Sequence, residues 1–196
     1  SHYFTHNGVQ QHYIDEGTGE ILLFVHGTPS WSFDFRQVVK VLSKNYRCIA
    51  LDHVGFGLSD KPARYDYATQ HHASRLEHFI AHLQLTDITL VVHDFGGPIG
   101  FAFSENHPEK IKRIVVLNSW LWNCESDPGF KKMRRILKSP LLPFLYKYLN
   151  FSPRVVLPAS FGEKKLAKDI RIQFTAPFSK PDERMGTIAF AHALLH

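Results

Sequence analysis

The chain of 196 residues is 44% hydrophobic and 21% charged, the balance of a folded globular domain and not of a disordered or fibrous one. Its formal charge is +5, but Lys131, Lys132, Arg134, Arg135 and Lys138 cluster together without a recognition motif, so a solvated helix face is expected and no nucleic-acid partner. Two cysteines, Cys48 and Cys124, are too few for a disulfide framework or a four-cysteine zinc site, which favours a cytoplasmic setting, and no apolar run reaches the ~20 residues that span a bilayer, so no membrane partner is expected.

In chain order, Tyr3 to His6 and Val9 to Ile14 flank Asn7-Gly8, a strong two-residue hairpin turn, which predicts an antiparallel edge. Four short apolar runs follow: Ile21 to Val25, Arg47 to Leu51, Ile88 to Val92 and Arg113 to Leu117. Strands of nearly continuous apolar character are buried on both faces, which means a parallel sheet. Between them, Trp31, Phe35, Val38, Val39 and Leu42 fall at helical spacing, and Ala73, Leu76, Phe79, Ile80 and Leu83 do so behind Thr69 as a cap. This alternation is an α/β fold, a mostly parallel sheet with helices on both faces.

After Trp122 the rhythm stops, and prolines from Pro128 to Pro181 punctuate short helical stretches without a strand pattern. Residues 1–122 therefore read as the N-terminal part of the core and residues 123–196 as a mostly helical cap. A sheet with four parallel strands normally continues past such a cap. The remaining core strands are expected beyond residue 196, on more of the same polypeptide or on a second one.

The sharpest motif is Val91-Val92-His93-Asp94-Phe95-Gly96-Gly97-Pro98-Ile99-Gly100, a buried strand running through a tight turn into a helix. A residue at the tip of such a turn stands above the sheet beside the helix N-terminus and the next backbone N–H. The tip is usually Ser; here it is Asp94. A carboxylate there can attack an sp3 carbon and form an alkyl ester that water then hydrolyses. Taken alone, Asp94 reads equally well as a helix N-cap. Two further turns shift the balance: His26-Gly27-Thr28-Pro29 after the first parallel strand, where a second oxyanion-hole N–H belongs, and Asp52-His53-Val54-Gly55-Phe56-Gly57 after the next. Three glycine-bearing loops at strand ends converge where open α/β sheets place ligands.

With these motifs, with His26 to Phe33, with Leu51 to Pro62 and with the segment from Ala176 to Phe190, the chain resembles the α/β-hydrolase superfamily, and within it the haloalkane dehalogenases and relatives with an Asp nucleophile. The resemblance implies a small apolar substrate and no cofactor. It implies Asp94 as nucleophile, with the N–H groups of Phe95 and Thr28 stabilising negative charge. Phe178 and Phe190 would line an apolar pocket under the cap, with Trp31 and Trp122 as further aromatic candidates.

The chain departs from the pattern at the leaving-group side. Phe95 stands where Trp is typical and Thr28 where Asn is frequent, and loss of one such donor costs on the order of 10²–10³ in rate. Trp31 or Trp122 could supply an indole N–H instead, although packing is the favoured role of both. Asn118 occupies a strand end where some members carry the acidic partner. The acid and the His base are expected beyond residue 196, since none of the 13 histidines substitutes well. His93, preceding the tip, is expected to point away from it.

Three other readings stay open within this resemblance: an epoxide hydrolase using Tyr146 and Tyr148, a β-lactone decarboxylase suggested by Asp52-His53 and Gly57 to Pro62, and a non-catalytic scaffold that binds an apolar ligand. His71, His78 and His82 lack the Glu of a metalloprotease helix and read as surface residues. Gly55-Phe56-Gly57 lacks the third glycine of a dinucleotide fingerprint.

Overall fold

A computed structural model describes residues 1–121, 128–163 and 165–195. Asn7 and Gly8, both left-handed, join β1 (His2–His6) to β2 (Val9–Glu16) as the hairpin chemistry requires. The other strands are β3 (Ile21–Val25), β4 (Arg47–Leu51), β5 (Ile88–His93) and β6 (Ile111–Leu117). They form one sheet of order β1-β2-β4-β3-β5-β6, antiparallel at β1-β2 and β2-β4 and parallel elsewhere. The chain leaves β3 for β4 on one side and later returns to place β5 on the other. This reversal opens a crevice at the strand ends, between the loops after β3 and β5.

Alternation along the strands builds two apolar layers. Leu23, Val25, Ile49, Leu51, Leu90 and Val92 pack with Leu76, Phe79 and Ile80 of α2 (Thr69–His82) and with Ile99 and Phe103 of α3 (Gly96–Asn106). Leu22, Phe24, Cys48, Ala50 and Val91 face the other way, onto Phe35 and onto Val39 of α1 (Arg36–Leu42). The first predicted helix begins late, because Ser32–Phe35 form a 3-10 turn and Trp31 precedes it. Thr69 is not the cap of α2: its hydroxyl reaches Gln70, and Asp66 Oδ1 accepts the Ala68 N–H at the helix start.

Burial on both faces fails for β6, where Ile114, Val115, Val116 and Leu117 are each more than a third exposed. Among the described residues the strand is the last in the sheet and pairs only with β5. Past β6 the described residues form helices and no strand: α4 (Pro128–Leu137), α5 (Leu142–Leu149), α6 (Leu157–Ser160), α7 (Lys168–Thr175) and α8 (Met185–Ala193). Leu137, Leu142, Tyr146, Ile188 and Ala191 give this part a small core of its own. Lys131, Arg135 and Lys138 are exposed. No helix among the described residues is long and apolar enough to cross a membrane.

Candidate active site

At the end of β5 the chain turns at Asp94, whose φ of 51° is left-handed, a conformation that costs a non-glycine residue about 1–2 kcal/mol. Two hydrogen bonds to its carbonyl oxygen hold it there, from the Gly97 N–H at 2.9 Å and the Ser119 hydroxyl at 2.7 Å. The small residues that follow are needed for close approach. A Cβ on Gly96 would run into the Val25 carbonyl oxygen, and one on Gly97 into Ser119 Oγ.

The Asp94 carboxylate lies against the loop after β3. Its Oδ1 accepts the Thr28 N–H at 2.8 Å, and the Phe95 N–H also donates to the carboxylate. Gly27 makes this possible, since a Cβ there would collide with that same oxygen. Burial raises the Asp94 pKa above the usual carboxylate value, and it outweighs the two N–H donors that pull it down.

The group opens on a cavity of about 560 Å³ between core and cap. Gly27, Thr28, Asp34, His93, Asp94 and Asn118 line its core side, and Val156, Leu157 and Phe161 give it an apolar wall from the cap. The Thr28 hydroxyl is buried beside the nucleophile without a protein partner. His93 does not point away from the site. Alternation sends it to the side of Val91, but as the last residue of β5 it sits at the rim of the sheet and joins the cavity wall. There its Nδ1 lies 3.2 Å from Asp34 Oδ2. The hydrogen bond to Asp34 raises the His93 pKa. Burial alone would raise Asp34, but His93 and the Ser30 hydroxyl outweigh it and hold the carboxyl below its usual range.

Other expected residues take different roles. Phe178 and Phe190 are fully buried and are not among the residues that line the cavity at Asp94: Phe190 packs 4.6 Å from Phe95 and 5.0 Å from Phe56, and Phe178 lies 6.0 Å from Phe56. The Phe95 ring faces this core, so Phe95 offers the site only its N–H. Trp31 is packed on Phe33 and donates its indole N–H to the Gln173 carbonyl at 3.2 Å, away from the cavity. Trp122 lies outside the described residues. Sequence reasoning missed Asp34, Val156, Leu157 and Phe161. For Asp34 a signal existed, a lone acid among the periodic apolar residues from Trp31 to Leu42.

The third glycine loop buttresses the site instead of lining it. Asp52, fully buried, accepts from the Ser32 N–H at 2.7 Å, the Leu58 N–H at 2.9 Å and His12 Nδ1 at 2.8 Å. Burial alone would raise its pKa, but these donors and the nearby His26 hold it below the usual range. His26 Nδ1 donates to the Gly27 carbonyl at 2.7 Å and its Nε2 accepts the His53 N–H at 2.9 Å, which locks the loop that presents Thr28. Burial lowers the His26 pKa, consistent with this neutral tautomer. Elsewhere His71 pairs with Asp66 at 2.8 Å and His78 lies on the His6 ring; no three metal-ligating side chains gather among the described residues.

A sequence model of the α/β-hydrolase fold matches residues 20–182. The chain belongs to the α/β-hydrolase fold family. This α/β-hydrolase is 37% identical over 193 residues to a cis-3-alkyl-4-alkyloxetan-2-one decarboxylase of Shewanella oneidensis, covering 96% of the chain and 61% of the relative. It is 33% identical over 159 residues to haloalkane dehalogenase 2 of Mycobacterium bovis, covering 81% and 55%. Its fold superposes on a mutant of haloalkane dehalogenase DatA from Agrobacterium tumefaciens with a TM-score of 0.87 at 25% identity, covering 97% of the chain and 66% of that structure. The α/β-hydrolase chain thus spans between about half and two thirds of the length of these relatives.

Proposed function

We propose that Asp94 is the nucleophile of a hydrolase that displaces a leaving group from an apolar alkyl carbon, with the carbon–halogen bond of a haloalkane as its first substrate class. The observation that carries this reading is the Asp94 carboxylate itself, held at a strained turn by the Thr28 and Phe95 N–H groups and open to a cavity with an apolar cap wall. Oδ1 is held by the Thr28 N–H, and the carboxylate lines the cavity where a substrate carbon would sit. Attack forms a carbon–oxygen bond to Asp94 and expels the leaving group with its electron pair. The two N–H groups then serve the oxyanion formed when water adds to the ester.

A second reading, opening of a β-lactone ring, is favoured by the name of the Shewanella relative, which matches nearly the whole chain. An epoxide hydrolase is less well supported, because Tyr146 belongs to the cap's own core, Tyr148 is 56% exposed and neither lines the cavity. For the base that activates water, and for the cover of β6, we look to further core strands on the same or a second polypeptide. The division into a core through residue 122 and a cap beyond it belongs to the same reading. So does a cytoplasmic setting, for which the buried free thiol of Cys48 is the support.

Incubation with n-hexyl bromide tests the proposal. Bromide release of at least one equivalent per chain is expected from the unaltered protein and none from Asp94→Asn. Equal release by both would contradict it.

A further inference from the structure

Displacement at carbon creates an anion, and the N–H donors expected to receive it are already committed. The Thr28 N–H is bonded to Asp94 Oδ1, and the indole of Trp31 to the Gln173 carbonyl. The Phe95 ring carries no N–H and is turned into the core. Among the described residues that line the cavity, three side chains ionise near neutral pH or below it: Asp34, Asp94 and His93. Only His93 forms a cation. Its side chain is 30% exposed and that of Asp34 24%, so the pair sits in the wall, dry enough for its charge to count and open enough to be touched.

Resting on the reading of Asp94 as nucleophile, we propose that His93, held by Asp34, receives the leaving group. Asp34 Oδ2 lies 3.2 Å from Nδ1, so the ring is oriented from behind. A carboxylate at Nδ1 keeps a proton there and favours the imidazolium, whose second N–H at Nε2 becomes the free donor. As the bond to carbon breaks, its electron pair goes to the leaving atom, and the resulting anion accepts the His93 N–H. No proton has to move if that anion is a halide or the carboxylate of an opened lactone. This arrangement does the work of the missing indole donor with an imidazole.

A leaving-group receptor has a signature that a merely structural residue lacks: its loss costs most when the leaving group is poor. The rate at which Asp94 gains a hexyl group, followed by intact mass, is to be compared for n-hexyl chloride, bromide and iodide. In His93→Gln the chloride reaction is expected to slow by on the order of 10²–10³ and the iodide reaction by roughly tenfold or less. Asp34→Asn keeps the histidine and is expected to show the same order with smaller losses; it carries the comparison if His93→Gln does not fold. An unchanged chloride rate, or equal losses for all three halides, would overturn the assignment of His93 while leaving Asp94 as nucleophile. Failure of the unaltered protein to gain a hexyl group from any of the three, or a group still gained by Asp94→Asn, would overturn both.

Discussion

Asp94 combines a left-handed backbone with a carboxylate whose pKa burial has raised, and both features work against stability. A raised pKa in a carboxyl means that the folded state binds its proton more tightly than the unfolded state. Its contribution favours folding below the unfolded pKa and is lost as the pH rises through the folded value. Asp94→Asn, with no charge to bury, is therefore expected to melt about 2–4 °C higher at neutral pH while losing alkylation. The same shift moves the acid limb of the pH–alkylation profile above the usual carboxylate value of 3.8, because only the carboxylate attacks. Asp52 has the opposite sign: its lowered pKa stabilises the fold above the unfolded value, and this is lost as the pH falls through the folded one. Asp52→Ala leaves His12 and the Ser32 and Leu58 N–H groups without their acceptor and is expected to cost about 3 kcal/mol in urea unfolding at neutral pH. Gly27→Ala should fold but push the Asp94 carboxylate off the Thr28 N–H, so the alkylation rate should fall by on the order of 10².

At the scale of elements, the core was legible wherever a pattern had one physical meaning. Asn7-Gly8 admits a hairpin, the apolar runs Ile21 to Val25, Arg47 to Leu51 and Ile88 to Val92 admit inner parallel strands, and Asp94-Phe95-Gly96-Gly97 together with the His26 to Pro29 loop admits an elbow. Patterns with two meanings misled. The resemblance implied a pocket wall at Phe178 and Phe190, but an apolar side chain that leaves water can face a cavity or a core, and here both are buried in the core. Phe190→Ala is accordingly expected to destabilise by about 3–5 kcal/mol in urea unfolding, a loss beyond that of a pocket-lining residue. The expectation that His93 points away from Asp94 missed that the last residue of β5 sits at the rim of the sheet and lines the same cavity. Asp34 escaped because its partner is distant in sequence, and the cap wall of Val156, Leu157 and Phe161 because only tertiary packing brings it over Asp94.

For the whole molecule, an open crevice at the centre of the sheet, a helical cover and an exposed terminal strand belong together. The chain covers 61% of its Shewanella relative, and β6 presents Ile114, Val115, Val116 and Leu117 at an edge that, among the described residues, pairs on one side only. Such an edge recruits strands from other molecules. The chain studied by itself is expected to associate with rising concentration on size-exclusion chromatography, and Val115→Lys to reduce that association with a change in stability of roughly 0.5 kcal/mol or less. The crevice carries the chemistry, and its central claim is that Asp94 takes the alkyl group. Peptide mapping by tandem mass spectrometry after exposure to n-hexyl bromide tests this most directly. A hexyl ester on Asp94, absent from Asp94→Asn, is the expected result; a hexyl group on another residue, with Asp94 unmodified, would contradict it.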